Sequence, residues 1–142
     1  MAAACVFCSI IRGEIPTEIV LDDDTAVAFL DHRPVFKGHC LLAPRGHVET
    51  LTDLPDGELA AFFSRAKRLA AAVESGLGAD GTFVAINNRV SQSVLHLHVH
   101  VVPRRRKDGL RGFFWPRTKY ASDAEIVEYG AKIRDALGDA AG

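Results

Sequence analysis

The seven residues His96-Leu97-His98-Val99-His100-Val101-Val102 hold three of the six histidines in this 142-residue chain. Imidazoles alternate there with branched apolar side chains, and strict alternation of this kind predicts a β-strand. Because successive side chains of a strand point to opposite faces, we expect the three histidines on one face and the apolar residues in a core. At a rise of about 3.3 Å per residue, neighbouring imidazoles of the row would stand roughly 6–7 Å apart.

A row of three imidazoles on one face favours a chemical function over plain packing. Neutral imidazole is a common metal ligand, so the row could be the metal site of a hydrolase. Alternatively, one imidazole acts as a nucleophile or base while its neighbours orient it. Residues 87–93 (Asn-Asn-Arg-Val-Ser-Gln-Ser) lead directly into the row. Their amides and hydroxyls can donate hydrogen bonds to a phosphate without adding negative charge.

Length and composition are those of one soluble globular domain. Hydrophobic residues make up 48% of the chain and charged residues 25%, which suits a protein with a sizeable core. The net charge of −1 argues against a nucleic-acid coat, and no apolar run reaches the roughly 18 residues of a membrane span. The N-terminus lacks the basic and apolar regions of a secretory signal, so we expect a cytoplasmic protein.

The three cysteines are Cys5, Cys8 and Cys40, and this odd number argues against a disulfide framework. Cys5 and Cys8 form a CxxC motif, which could be half of a zinc site, a redox pair or two small hydrophobic residues. A redox pair usually follows a strand in a βαβ unit, whereas this one lies at the start of the chain. Zinc is therefore favoured, and the histidine-rich segments would supply two further ligands.

Short apolar and β-branched runs predict four strands besides the histidine segment, at residues 19–21, 25–30, 39–44 and 82–86. A short helical turn is expected over residues 5–13. A long amphipathic helix is predicted from Pro55 to Gly76 or Gly78, because apolar residues recur there at i, i+3, i+4 and i+7. The order of elements predicts an α+β fold with a mainly antiparallel sheet.

The C-terminal part of the chain carries a basic run, a cluster of aromatic residues and one more helix. The run is Arg104-Arg105-Arg106-Lys107, which is a solvated loop by default and could alternatively attract a polyanionic substrate. Aromatic residues follow at 113–115. Ser122 and Glu125 have the spacing of a capping box and predict the start of the last helix.

The histidine segment resembles the signature of the histidine-triad (HIT) superfamily, in which histidines alternate with hydrophobic residues and two hydrophobic residues close the pattern. The likeness extends to residues 5–16 and 31–47, and covers about residues 5–103. It implies a single HIT domain over residues 1–142, with a basic-aromatic extension and terminal helix at 104–142. The implied fold has five antiparallel strands, one long central helix and a C-terminal helix, and such proteins are usually homodimers.

The resemblance also implies a reaction. Proteins of this family bind nucleotides and cleave a nucleoside phosphoramidate or a dinucleoside polyphosphate at the α-phosphorus. His98 would attack phosphorus to give a nucleotidyl-histidine that water hydrolyses, while His100 and His39 polarise the site and Ser93 contacts the phosphate and leaving group. We expect an adenosine-containing purine nucleotide. The alternatives are a metal-dependent hydrolase that uses the histidine row and a nucleotide-binding module without turnover.

Further positions match the family's nucleotide contacts. Asp31 occupies the position that holds the ribose hydroxyls, and Gln92 one that contacts the phosphates, with Asn87 as a further contact. The apolar wall of the base pocket matches Val6, Phe7 and Ile10, for which plain core packing is the alternative. The loop at 87–92 is about two residues shorter than is common in the family, and it carries Arg89 and Ser91 where glycines are frequent.

Members with a CxxC motif place zinc between the two cysteines, a distal histidine and the first histidine of the triad. The matching residues in this chain are Cys5, Cys8, His47 and His96. Two thiolates and two imidazoles make a closed, structural zinc site with no open position for catalysis. The resemblance therefore implies that His96 is a metal ligand rather than an acid or base.

Overall fold

A five-stranded antiparallel sheet organises the computed structural model, which describes residues 4–110 and 117–140. The strands are β1 (Ile19–Asp22), β2 (Ala26–Leu30), β3 (Cys40–Pro44), β4 (Gly81–Ile86) and β5 (Val99–Arg104). Their order across the sheet is β1-β2-β3-β5-β4. The helices are α1 (Val6–Ile11), α2 (Asp56–Leu77) and α3 (Asp123–Ala140), with a 3-10 turn at Leu51–Asp53. The predicted α+β class and mainly antiparallel sheet are confirmed.

The chain forms two compact units, residues 1–108 and residues 109–142. The sheet, α1 and α2 belong to the first unit, and α3 belongs to the second. That residues 1–142 make up one HIT domain stays a prediction. The aromatic residues at 113–115 lie outside the described part of the chain. None of the helices in the described ranges is long and apolar enough to cross a membrane.

Strands β2 and β3 are buried almost throughout because both faces of the sheet are covered at this point. On one face Ala26 and Ala28 contribute to the larger core, which also contains the buried stripe of α2. On the other face Val27 and Phe29 contribute to a smaller core with Phe7 of α1. A strand buried on both faces loses the polar alternation of a half-exposed strand, which explains the continuous apolar runs in the sequence.

Helix α2 matches the amphipathic prediction. Its buried residues are Phe62, Ala66, Leu69 and Val73, at the spacing of one helical face. It ends at Gly78, whose φ of 61° lies in the left-handed region that glycine adopts without strain.

The basic run takes part in the structure of the first unit. The Arg105 guanidinium donates hydrogen bonds to the carbonyls of Leu77 (2.8 Å) and Gly78 (2.6 Å), where α2 ends. Arg104 donates two hydrogen bonds to Asp108, at 2.6 and 2.9 Å. Cations favour a helix C-terminus because they complement its dipole. Two of the four basic residues are therefore engaged in holding the fold.

The histidine strand begins later than predicted. Strand β5 starts at Val99, so His96 and His98 precede it. Leu42 pairs with Val99 in the ladder between β3 and β5, and further pairing would bring Pro44 opposite the histidine segment. Proline has no N–H to donate to a ladder, so regular pairing stops here. Alternation nevertheless persists, because Leu97, Val99 and Val101 are all fully buried in the larger core.

Helix α3 of the second unit begins after Ser122, as predicted. The Glu125 N–H donates to the Ser122 hydroxyl at 3.2 Å, which is one half of a capping box. The Glu125 carboxylate accepts its hydrogen bond from the N–H of Ala121 at 2.8 Å, one residue before the expected partner.

Candidate active site and metal cluster

Cys5, Cys8, His47 and His96 come together although 91 residues separate the first from the last. The Nδ1 atom of His96 lies 3.5 Å from the Cys5 sulfur, 3.6 Å from the Cys8 sulfur and 3.2 Å from Nδ1 of His47. The Cys8 sulfur lies 3.4 Å from Nδ1 of His47. Three segments build this cluster: the start of α1, the chain after β3 and the chain before β5.

These distances fit a tetrahedral zinc ion. Zn–S bonds of about 2.3 Å and Zn–N bonds of about 2.0–2.1 Å place sulfur and nitrogen ligands about 3.5 Å apart and two nitrogens about 3.3 Å apart. The tautomer of His96 also fits, because its Nε2 lies 2.8 Å from the Pro44 carbonyl oxygen and must donate to it. Nδ1 then keeps its lone pair for a metal. The four residues could therefore hold zinc as a closed site.

Burial favours neutral ligands in this cluster. It lowers the pKa of His96, which is fully buried, and the nearby charge of His47 acts in the same direction. Burial also raises the pKa of the Cys8 thiol, with further upward contributions from Cys5. A bound cation reverses this effect, because a thiol that coordinates zinc is deprotonated. The cluster thus suits a metal better than it suits free thiolates.

His98 is held in one tautomer by the main chain two residues before it. Its Nδ1 lies 2.7 Å from the carbonyl oxygen of His96, so Nδ1 carries the hydrogen and donates it. Its Nε2 atom therefore has a free lone pair. The Phe7 ring packs edge-on against the imidazole, with ring centroids 4.9 Å apart. Burial lowers the pKa of His98, which keeps the ring neutral near pH 7.

His39 and His100 form a second chain of hydrogen bonds. The Val35 N–H donates to Nδ1 of His39 at 3.1 Å, so the His39 hydrogen is on Nε2. Nε2 of His39 lies 3.0 Å from Nδ1 of His100 and donates to it. The hydrogen of a neutral His100 is therefore on its own Nε2. Burial, with the charges of His98 and His39, lowers the pKa of His100 to about 4.

Asp31 lies beside this chain of hydrogen bonds, at the end of β2. Its Oδ1 atom accepts a hydrogen bond from the Arg33 N–H at 2.9 Å, and its Oδ2 atom lies 3.8 Å from Nδ1 of His39. The backbone N–H of Asp31 donates to the His39 carbonyl at 2.9 Å. The carboxylate is thus fixed beside the imidazoles with acceptor capacity left over.

A cleft of about 690 Å³ brings many of the predicted site residues to one surface. Those that line it are Val6, Phe7, Ile10, Asp31, Ser93, His98 and His100. The segment from Ile15 to Glu18 also lines the cleft, which the sequence analysis does not predict because these residues form no recognisable motif. A cleft of this size with apolar walls and a few polar groups suits a nucleotide-sized ligand.

Two predicted nucleotide contacts lie elsewhere. The side-chain amide of Gln92 donates to the Glu49 carbonyl at 2.6 Å, and its oxygen accepts from the Arg89 N–H at 2.8 Å. Asn87 follows the last residue of β4 and is not among the residues that line the cleft. Arg89 and Ser91 have φ values of 71° and 60°, so the short loop adopts a left-handed backbone without glycine.

A family model for the HIT domain matches residues 12–107. The chain belongs to the HIT family. An uncharacterized HIT-like protein of Methanocaldococcus jannaschii is 43% identical over 128 residues, which is 89% of this chain and 87% of the relative. An adenosine 5'-monophosphoramidase of Saccharomyces cerevisiae is 40% identical over 112 residues, 76% of this chain and 68% of the relative.

A solved structure links the family to zinc. It is a zinc-bound histidine triad family protein from Mycobacterium smegmatis, with a TM-score of 0.71 and 35% identity to this HIT chain. The match covers 94% of this chain and 97% of that one. Together with the cluster of two cysteines and two histidines, this relative makes zinc the metal that the site suggests.

Proposed function

We propose that this HIT protein is a nucleotide hydrolase or transferase that cleaves a nucleoside phosphoramidate or dinucleoside polyphosphate at the α-phosphorus. The observation that carries the proposal is the hydrogen bond from Nδ1 of His98 to the His96 carbonyl. It leaves the Nε2 lone pair free on a neutral imidazole that borders the cleft. A neutral imidazole in this tautomer is a competent nucleophile near pH 7.

In the first step, Nε2 of His98 forms a bond to the α-phosphorus. The bond from phosphorus to the leaving nitrogen or oxygen breaks, and the leaving group departs with that electron pair. The ring becomes an imidazolium, whose Nδ1–H remains bonded to the His96 carbonyl. A departing amine takes a proton from water through the Ser93 hydroxyl, which borders the same cleft.

In the second step, water attacks the nucleotidyl-His98. The bond between phosphorus and Nε2 breaks, and the electron pair returns to the ring. The attacking water releases one proton, which replaces the proton that the leaving group took. The products are a nucleoside monophosphate and the protonated leaving group, and His98 is again neutral. The Nε2–H of His100 would donate to a phosphoryl oxygen, and His39 fixes that tautomer.

The rest of the cleft would bind the nucleoside. The Asp31 carboxylate would accept hydrogen bonds from the ribose hydroxyls, which are donors. Val6, Phe7 and Ile10 would form the apolar wall against the base, and Gln92 and Asn87 stay predicted contacts of the phosphates. An adenosine nucleotide is the first candidate, because the related yeast protein is named for its action on adenosine 5'-monophosphoramidate. A homodimer is proposed on the family resemblance.

Zinc would be held by Cys5, Cys8, His47 and His96 and would act as a structural ion. All four tetrahedral positions are then protein ligands, so none remains for a substrate or water. Its contribution would be to bind the start of α1 to the chain segments that follow β3 and precede β5.

A metal-dependent hydrolase is the second candidate, because Asp31, His39 and His100 place their ligand atoms within 4.8 Å of one another. The hydrogen bonds of the two imidazoles argue against it. Nδ1 of His39 accepts from Val35 and its Nε2 donates to His100, so a neutral His39 has no lone pair free for a metal.

The test compares wild type with His98→Ala on adenosine phosphoramidate and a diadenosine polyphosphate. Under covalent catalysis the variant loses turnover by on the order of 10³-fold or more, because no other group replaces the nucleophile. It keeps its affinity for adenosine monophosphate within about threefold. Zinc content and thermal unfolding serve as controls for the fold.

Three results would change the conclusion. Turnover that survives in His98→Ala would refute covalent catalysis. Activity that depends on an added divalent metal in the variant would favour the metal-dependent hydrolase. A wild-type protein that binds nucleotides but turns over none of them would be a binding module.

A further inference from the structure

A second cavity adjoins the candidate active-site cleft. Its volume is about 530 Å³, and Val6, Ser93 and Val94 border both this cavity and the cleft. Ser93 therefore stands where the two cavities meet, while His98 and His100 line the cleft on its other side. A ligand that is longer than a nucleotide would pass from the cleft into the second cavity at Ser93.

The proposed reaction gives the second cavity an occupant. In phosphoryl transfer the attacking and leaving atoms lie roughly in line at phosphorus, so the leaving group points away from Nε2 of His98. The walls of the cleft at Phe7, Ile10 and Asp31 are assigned to the nucleoside. Ser93 is the group proposed to pass a proton to the departing amine, which places the leaving atom beside Ser93. The remaining atoms of the leaving group then extend into the second cavity.

Apolar side chains form much of the wall of the second cavity. Val6 and Leu95 are 42% and 54% exposed, although both are large and hydrophobic. Exposed apolar surface in a concave site favours an apolar ligand group, because contact removes both surfaces from water. The described residues that line the cavity, apart from the metal-cluster residues Cys5 and His47, are Ala4, Val6, Glu49, Ser93, Val94 and Leu95.

Glu49 sets the charge of the second cavity. Among the described residues that line it there is no lysine or arginine. Zinc held by two thiolates and two neutral imidazoles has no net charge, and an empty cluster of thiols and neutral imidazoles has none either. An exposed glutamate is negative at neutral pH, so the cavity is negative with or without the metal.

Hydrogen bonds hold the main chain of Glu49 beside the loop that leads to Ser93. The Gln92 side-chain amide donates to the Glu49 carbonyl at 2.6 Å. Two residues later, the Leu51 N–H donates to Oδ1 of Asn88 at 2.8 Å. These two bonds fix the segment that carries the carboxylate relative to the loop at 88–93.

The cation of this loop acts on a different carboxylate. Arg89 is not among the residues that line the second cavity. Hydrogen bonds from Thr50, together with the charge of Arg89, lower the pKa of Asp53. The positive charge of the loop is therefore directed towards Asp53, and Glu49 remains the charge that faces the second cavity.

We propose that the second cavity is the subsite for the leaving group, and that Glu49 selects an amine with an apolar chain and a second, cationic group. This inference rests on the proposed function and narrows its substrate class. The phosphorus–nitrogen bond breaks as described above, and the amine nitrogen departs with the electron pair and a proton. The second cationic group takes no part in that step and only binds. A nucleoside polyphosphate leaving group is a polyanion, which Glu49 repels.

The test uses three adenosine phosphoramidates whose leaving amines share a four-carbon chain. The chain ends in a methyl group, an ammonium group or a carboxylate. Wild type is compared with Glu49→Gln and Glu49→Lys, and kcat/KM is measured at low ionic strength. Glu58→Lys is the matched control, because Glu58 is an exposed glutamate that lines neither cavity. Zinc content and thermal unfolding are measured for every variant.

Wild type is expected to prefer the ammonium substrate to the carboxylate substrate by about tenfold. One exposed charge pair changes binding by about two- to fivefold, and it is attractive in one substrate and repulsive in the other. Glu49→Gln should reduce the ratio to about twofold or less, and Glu49→Lys should reverse it. Glu58→Lys should keep the ratio of wild type. High salt should shrink the ratio in wild type, since exposed charges are screened.

Leu95→Ser tests the apolar wall. Each methylene group that is removed from water contributes up to about fourfold. The variant should therefore lose about threefold or more in kcat/KM with the methyl-terminated four-carbon amine and little with methylamine as the leaving group. An equal loss with both amines would show that Leu95 does not contact the chain.

The outcomes separate this inference from the proposed function. Turnover with the same substrate ratio in wild type, Glu49→Gln and Glu49→Lys would overturn the subsite and leave the proposed function standing. If wild type turns over no phosphoramidate, the proposed function fails, and the Kd values of the three compounds decide the subsite. An ammonium preference in Kd that Glu49→Gln abolishes would support it, and equal Kd values would overturn it. A diadenosine polyphosphate with a higher kcat/KM than the ammonium substrate in wild type would overturn the preference for a cationic amine.

Discussion

Gln92 provides a sharp test because family resemblance and geometry give it different roles. The resemblance makes it a phosphate contact, whereas in the structure both ends of its amide bind the backbone of neighbouring segments. Its nitrogen donates to the Glu49 carbonyl at 2.6 Å, its oxygen accepts from the Arg89 N–H at 2.8 Å, and only 8% of the residue is exposed. We predict that Gln92→Ala destabilises the protein.

The magnitude follows from the two bonds. Each hydrogen bond to a neutral backbone group contributes about 0.5–1.5 kcal/mol, so the loss of both costs about 2 kcal/mol. For a first unit of 108 residues, each kcal/mol lost from the free energy of unfolding lowers the Tm by about 4 °C. A loss of about 2 kcal/mol therefore predicts a fall in Tm of roughly 8 °C. The midpoint of urea unfolding should fall with an unchanged m value.

Val90→Ala is the control, because Val90 is in the same loop and is 79% exposed. Its stability should stay within about 0.5 kcal/mol of wild type. The assay is thermal and urea unfolding of zinc-loaded protein, followed by circular dichroism. A Gln92→Ala variant with the Tm of wild type and a reduced kcat/KM would refute the bracing role and favour the phosphate contact.

Three further predictions concern the loop, the zinc cluster and acid. Arg89→Gly and Ser91→Gly should each raise the free energy of unfolding by about 0.5–1 kcal/mol, because a left-handed backbone strains a non-glycine residue by more than glycine costs in entropy. Unfolding titrations check this, and a loss of stability in both variants would contradict it. Removal of zinc by a chelator should lower Tm by on the order of 10 °C, since a ligand bound only by the folded state stabilises that state. Protein that contains no zinc before chelation, and whose Tm the chelator leaves unchanged, would show that the cluster holds no zinc. Burial, with the charges of His98 and His39, lowers the folded-state pKa of His100 to about 4, from an ordinary value of 6.5. The unfolded chain therefore binds the proton first as pH falls, so zinc-free protein should lose stability between about pH 6.5 and pH 4. His100→Asn should reduce that slope, and an unchanged slope would contradict the assignment.

Much of the fold was predictable from periodicity. The apolar stripe predicted helix α2, and the continuous apolar runs predicted strands β2 and β3. Such patterns are reliable because the spacing of apolar residues follows directly from which side chains an element buries. The start of β5 was not predictable in this way. His96 and His98 continue the alternating pattern, but their partners are the Pro44 carbonyl and a carbonyl of their own segment rather than a neighbouring strand.

The site could be predicted only in part, for a similar reason. Spacing alone showed that Cys5 and Cys8 could share a metal, and it could not name ligands 39 and 88 residues away from Cys8. Family resemblance named His47 and His96, and the structure brings all four together. The brace from Gln92 to Glu49 joins residues 43 positions apart, and the local bond from Val35 to His39 depends on the conformation of the loop between them, so the sequence pattern predicts neither.

The most direct measurement of the central claim is a search for the covalent intermediate. Wild type is mixed with adenosine phosphoramidate, quenched within the first turnover under alkaline conditions that preserve phosphorus–nitrogen bonds, digested and analysed by mass spectrometry. We expect an adenylyl group on the peptide that contains residues 96–100, attached to His98 and absent from the His98→Ala protein. Rapid turnover with no adduct on His98, or with an adduct on another residue, would contradict it.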